Sequence, residues 1–181
     1  MDRFKLISGL VVVFVALIVG SCQDDKNVDS SNPISNKELS EDDNANKEIL
    51  LSLLDSEKFF LDVSSLGSER ATTNEIKDFS LNAKIEHLKN YEKLKTFCID
   101  KGYEIPEKLS KANNDKLYKL TITNTADFDN YFKQNLINEY KIRIDSTAKY
   151  INEKTYVEAL DVLTIVEANY RKNLNKIEKI K

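Results

Sequence analysis

Few side chains in this chain could do chemistry. His87 is the only histidine among 181 residues, and Cys22 and Cys98 are the only cysteines. His87 sits on the apolar side of an amphipathic stretch, with Glu86 beside it. Tyr140 has Glu139 beside it, so one or two carboxylates could turn towards a buried imidazole. One imidazole with few carboxylates makes a weak, unselective transition-metal site, so His87 is a weak metal candidate only. A lone histidine on an apolar helix face is more often a core residue with its hydrogen bonds satisfied. Cys98 shares the His87 stripe but lies eleven residues on, about 16 Å by helical rise, too far for a thiolate–imidazole pair. Burial as a small hydrophobe is its simplest role. The chain has no Gly-x-Ser-x-Gly elbow, phosphate-cradling glycine loop or His-Glu-x-x-His pattern. These absences argue against a hydrolase or transferase, and no catalytic residue or cofactor is expected.

Helices must position these residues. After the first forty positions only Gly67, Gly102 and Pro106 interrupt the backbone, and there is no tryptophan. So few breakers favour long helices over a many-turned β fold. The first helix is expected over about 47–70, with Leu50, Leu53/Leu54, Phe60/Leu61 and Ser64 at three- and four-residue steps. Ile49, Leu51 and Phe59 widen its stripe, and Gly67 weakens its end. In the second, Thr72 and Glu75 stand in capping-box spacing. Its stripe is Ile76, Phe79, Ala83, His87, Tyr91, Leu94 and Cys98, and Gly102 ends it. A short helix follows over about 113–120. The third long helix runs from about Asp127 to Ile151 with Phe128, Tyr131/Phe132, Leu136, Tyr140, Ile144, Ala148 and Ile151 on its face. The fourth opens at a second capping-box pair, Thr155 and Glu158, and carries Leu160, Leu163, Val166, Tyr170, Leu174 and Ile177. Lys172, Lys176, Lys179 and Lys181 suit the negative end of its macrodipole. Four amphipathic helices with short connections predict an all-α, antiparallel four-helix bundle with a short extra helix, over 47–181.

The N-terminal residues predict an address. Arg3 and Lys5 precede the apolar run LISGLVVVFVALIV, and Val19-Gly20-Ser21-Cys22 resembles a bacterial lipobox. The resemblance implies a signal peptide over 1–21, cleavage before Cys22, and acylation (palmitate among the acyl groups) of that residue. The alternative is a single membrane-spanning helix. Gln23-Asp24-Asp25 is similar to the acidic surface-export tag of some bacterial lipoproteins; the alternative is an acidic linker. Residues 22–46 hold almost nothing apolar and predict a disordered tether, with an r.m.s. span of roughly 25–30 Å as a coil. A lipid anchor on Cys22 makes the membrane the expected partner and the outer membrane of the cell envelope the expected location. A second partner, an envelope protein, is left open, as is docking on the first helix. A net charge of −3 gives no basic excess to hold a polyanion, so nucleic acid is not expected.

With Asn74-Glu75-Ile76-Lys77-Asp78-Phe79 preceding His87, then Asn90, Leu94, Lys101-Gly102, Pro106 and Phe128-Asp129 before Tyr131, the folded part resembles a bacterial envelope family. This is domain-of-unknown-function family 4142, grouped with ferritin-like bundles, and the resemblance covers about 48–176. It implies a ferritin-like bundle in the envelope and no established activity. Members commonly carry a glutamate on the first helix and histidines on the next three, facing the interior. By spacing, the glutamate position falls at Phe60, and the later histidine positions fall at Tyr140 and Asn169. Only His87 matches. Phe60, His87, Tyr140 and Asn169 are therefore the candidate ligand-lining residues, and a carboxylate-bridged di-iron site cannot be completed. The expectation is a non-catalytic structural or interaction bundle whose interior is filled by Phe60, His87 and a hydrogen-bonded Tyr140. The alternative is a weak metal- or small-ligand-binding bundle centred on His87.

Overall fold

The computed structural model describes residues 41–153 and 156–181. The segment read as a signal (1–21), Cys22, most of the stretch read as a tether, and Thr155 lie outside the described residues. The described residues belong to one compact unit, built from α1 (Glu41–Arg70), α2 (Asn74–Asp100), α3 (Lys111–Ile122), α4 (Thr125–Asn152) and α5 (Leu160–Lys179).

The helices pair as two hairpins, α1 with α2 and α4 with α5. Contacts of α2 with α5 and of α1 with α4 close the ring. The segment carrying α3 crosses from the end of α2 back to the start of α4. This gives α2 and α4 the same direction, so the fold is an all-α bundle with one long crossover, the connectivity of ferritin-like folds. The core runs from Leu50 and Phe59 on α1 to Tyr170 and Ile177 on α5, all fully buried.

α1 organises the crossover. Its Asp55 carboxylate accepts from the Ser110 backbone N–H at 2.7 Å and from Asn113 Nδ2 at 2.8 Å, at the start of α3. Its Arg70 guanidinium donates to the carbonyls of Leu120, Thr121 and Thr123 at 2.9, 2.6 and 2.5 Å, at the end of α3. Charge of the favourable sign therefore meets each end of the α3 dipole. The widened stripe of α1 is explained by three neighbours, α2, α3 and α4, and Phe59 is fully buried.

Several local expectations are corrected. α1 begins at Glu41 rather than near Lys47, so the helix reaches six residues into the stretch read as tether. The acidic run 41–43 suits a helix N-terminus. α1 ends at Arg70 as expected, and Gly67, read only as weakening that end, has a packing role. A Cβ there would lie 2.4 Å from Phe132 Cζ and 2.4 Å from Ser80 Oγ, so the glycine lets α2 and α4 approach. Thr72 and Glu75 form no capping box, and the N-cap residue Thr73 makes no side-chain cap bond. Asp129 of α4 does this work instead. It accepts from the Thr72 N–H at 2.9 Å, the Thr72 hydroxyl at 2.7 Å and the Thr73 N–H at 2.9 Å. α5 begins at Leu160, after a 3₁₀ turn at Val157–Ala159, and Glu158 pairs with Lys101 across the bundle.

Gly102 performs as read. At φ +74° it occupies the left-handed position; its N–H bonds the Ile99 carbonyl at 2.8 Å, and Tyr103 N–H bonds that of Cys98 at 2.9 Å. This is the paired bonding of a Schellman end.

Candidate functional site

The site forms where α1, α2, α4 and α5 face one another at mid-height. His87 is completely buried, and both its ring nitrogens are engaged. Nδ1 lies 2.7 Å from Glu57 Oε2 and Nε2 lies 2.9 Å from the Tyr140 hydroxyl. An ionised carboxylate can only accept, so Nδ1 carries a proton; in the neutral ring Nε2 then accepts from Tyr140 O–H. Asn90 Nδ2 donates to the other Glu57 oxygen at 3.1 Å, and Asn169 Nδ2 donates to Asn90 Oδ1 at 2.7 Å. A single chain of bonds thus runs Tyr140–His87–Glu57–Asn90–Asn169 through all four long helices.

Phe60 packs between its members. Its ring centroid is 4.6 Å from that of His87 and 4.6 Å from that of Tyr140, with interplanar angles of 15° and 11°. Stacked aromatic pairs contribute about 0.5–1.5 kcal/mol each beyond area burial. Tyr170 closes the far side, its ring 5.5 Å from Phe60. Burial, followed by the Glu57 charge, pushes the hydroxyls of Tyr140 and Tyr170 well above the ordinary tyrosine range. Both are therefore phenols at neutral pH.

Of the four candidate residues, three meet directly: Phe60, His87 and Tyr140. Asn169 joins them only through Asn90 and Glu57. The expected tyrosine–histidine bond is present. Glu57 is the residue that sequence reasoning missed, although a signal existed. The α1 stripe jumps from Leu53/Leu54 to Phe60, and the three-and-four repeat requires an inward residue at 57. The carboxylates thought able to turn inward do not reach His87. Glu139 is buried but pairs with Lys116 at 2.6 Å and Arg143 at 3.9 Å. Glu86 points out to Lys172 at 2.7 Å and Lys176 at 3.2 Å. Burial would raise its pKa, but those two lysines outweigh it and hold the carboxyl below its usual range. Cys98, also fully buried, has its thiol pushed up to about 11 by burial and is no nucleophile at neutral pH.

The profile described as a domain of unknown function, DUF4142, matches residues 30–178. The chain belongs to this family. Among solved structures it is similar to the crystal structure of a DUF305 fragment from Deinococcus radiodurans. The TM-score is 0.64 at 11% identity, over 73% of this chain and 91% of that one, a likeness of fold. A comparison with curated proteins returns no match.

Within this DUF4142 bundle the donor set does not fit the carboxylate-bridged metal pair that a ferritin-like fold brings to mind. Such a centre draws carboxylates and imidazoles from four helices. Here one carboxylate, Glu57, and one imidazole, His87, converge, each bonded to protein partners. Among the described residues, no three His, Cys, Asp or Glu side chains are grouped to hold a metal ion.

Proposed function

We propose that this DUF4142 protein is a lipid-anchored component of the bacterial envelope, held to the outer membrane through Cys22, whose bundle has a structural or interaction role without catalysis. The observation that carries the non-catalytic part is saturation. Both nitrogens of His87 and both oxygens of Glu57 have protein partners in a fully buried layer, so neither side chain is presented to a substrate from solvent. A satisfied buried network of this kind rigidifies a core and specifies how its helices meet. The anchor rests on the sequence Val19-Gly20-Ser21-Cys22.

One observation favours the alternative of a small ligand beside His87. Both polar atoms of the fully buried Asn173 amide, one turn beyond Asn169, have no hydrogen-bond partner among the described residues. A small polar molecule could satisfy them.

The test is expression of the full chain and of Cys22→Ser in a bacterial host with labelled palmitate, followed by elemental analysis of the purified proteins. Label and membrane fractionation that vanish in Cys22→Ser support the anchor; an unlabelled native chain overturns it. Stoichiometric iron, zinc or manganese that disappears in His87→Ala overturns the non-catalytic reading and makes His87 a ligand.

A further inference from the structure

α2 carries two apolar faces, and only one is used by the bundle. The buried face is Ile76, Phe79, Ala83, His87, Leu94 and Cys98. The opposite face carries Leu81, Ile85, Leu88 and Ile99, at 52, 55, 49 and 54% exposure. Of the ten large apolar side chains exposed among the described residues, these four fall on one line. With Asn74, Asp78, Glu92 and Lys95 they form an unbroken series at alternating steps of four and three. That is the spacing of a coiled-coil seam. It spans twenty-five rises, about 37 Å. The crossover helix packs on α1 and α4, away from this face.

We infer that this seam is the contact between two copies of the chain, packed as an antiparallel α2–α2 pair. This rests on the interaction role proposed above and names its partner. Charge chooses the occupant and the direction. A parallel, in-register pair would stack Asp78 on Asp78, Glu92 on Glu92 and Lys95 on Lys95, three like-charge layers that oppose assembly. An antiparallel pair with its dyad between Ile85 and Leu88 sets Ile85 against Leu88 of the second copy, and the reverse. The same register sets Asp78 against Lys95 of the second copy at both ends, and lays Leu81 along the methylenes of Glu92. Every contact occurs twice, as a two-fold, self-complementary interface demands. Four apolar positions in eight make a modest interface, and confining anchored copies to one membrane raises their effective concentration.

Sedimentation velocity on the chain from residue 22 onward with Cys22→Ser tests this. That piece contains the whole compact unit and a core that lies between Leu50 and Ile177, so it keeps everything that holds the bundle together. The expected result is a concentration-dependent dimer. Ile85→Lys, a change at an exposed site that keeps the helical circular dichroism, raises its Kd by about thirty-fold or more, the loss expected at a central contact. Asp78→Lys and Lys95→Asp each weaken the dimer, and the double variant restores it. Four results would overturn the inference: a native chain that stays monomeric at millimolar concentration, a dimer indifferent to Ile85→Lys, a charge swap that restores nothing, or a monomer recruited through the seam to phosphatidylethanolamine–phosphatidylglycerol vesicles. None of these alters palmitate labelling or metal content, so the two readings fail separately.

Discussion

The Glu57–His87 pair gives the sharpest test of the reading that the buried layer is architectural. Glu57→Leu leaves His87 Nδ1–H and Asn90 Nδ2 without the acceptor they meet at 2.7 and 3.1 Å. His87→Leu strands the Glu57 carboxylate and the Tyr140 hydroxyl in a layer with no solvent access. Removing one partner of a buried pair of this kind costs about 3–5 kcal/mol, whereas replacing both by apolar groups of similar volume is close to neutral. Leucine approximates the volume of either side chain, so packing against Phe60 is largely kept. Glu57→Leu/His87→Leu still leaves Asn90 and Tyr140 each short of a partner, about 1–3 kcal/mol apiece. The double variant should therefore lie several kcal/mol above the sum of the singles, and adding Tyr140→Phe should recover part of the remainder. Total stability is on the order of 5–15 kcal/mol, so each single variant shifts a urea transition far enough to measure by circular dichroism. Additive losses, with the double variant as unstable as the two singles summed, would refute coupling between the two side chains.

Gly67→Ala tests the close approach of three helices. Helix propensity alone would stabilise the variant by about 1 kcal/mol, but the methyl meets the buried Phe132 ring at 2.4 Å, and overpacking costs about 1–3 kcal/mol. The melting temperature should fall; a rise would show that the helices are not pressed together there. Asp129→Ala removes the acceptor from the start of α2 and should cost about 0.5–1 kcal/mol, the lower half of the range for a lost N-cap at an exposed site. Burial would raise the Asp129 pKa, but bonds from Thr72 and Thr73 outweigh it and lower it. Its contribution is therefore present above the unfolded value, near pH 4, and is lost as pH falls through the folded value. Urea midpoints of native and Asp129→Ala chains should differ at neutral pH and converge in acid; an equal gap at both would refute the cap. The Cys98 thiol, held protonated by burial, should react with a thiol reagent only after denaturant is added. Rapid labelling of the folded Cys22→Ser chain would contradict its burial.

Much of this architecture is written in local pattern. Scarce glycine and proline, and apolar residues at three- and four-residue steps, are enough to place five helices, because periodicity reports directly which face is buried. Gly102 was legible for the same reason: a helix end needs a residue that accepts positive φ, and that need is local. The inward positions of Phe60, His87 and Tyr140 follow from the same repeat. The tertiary structure decided the rest. Spacing marks position 57 as inward, but only His87 and Asn90 arriving from α2 make a carboxylate tolerable there, since a buried acid needs partners that no single helix supplies. The start of α2 has a capping sequence of its own, yet it is Asp129, more than fifty residues away, that accepts from the N–H groups of Thr72 and Thr73 leading into the helix. Gly67 reads as a weak helix end until Phe132 and Ser80 occupy the space beside it. Periodicity belongs to one helix and can be read from it, whereas hydrogen-bond partners and close contacts belong to pairs of helices and exist only once the chain has folded.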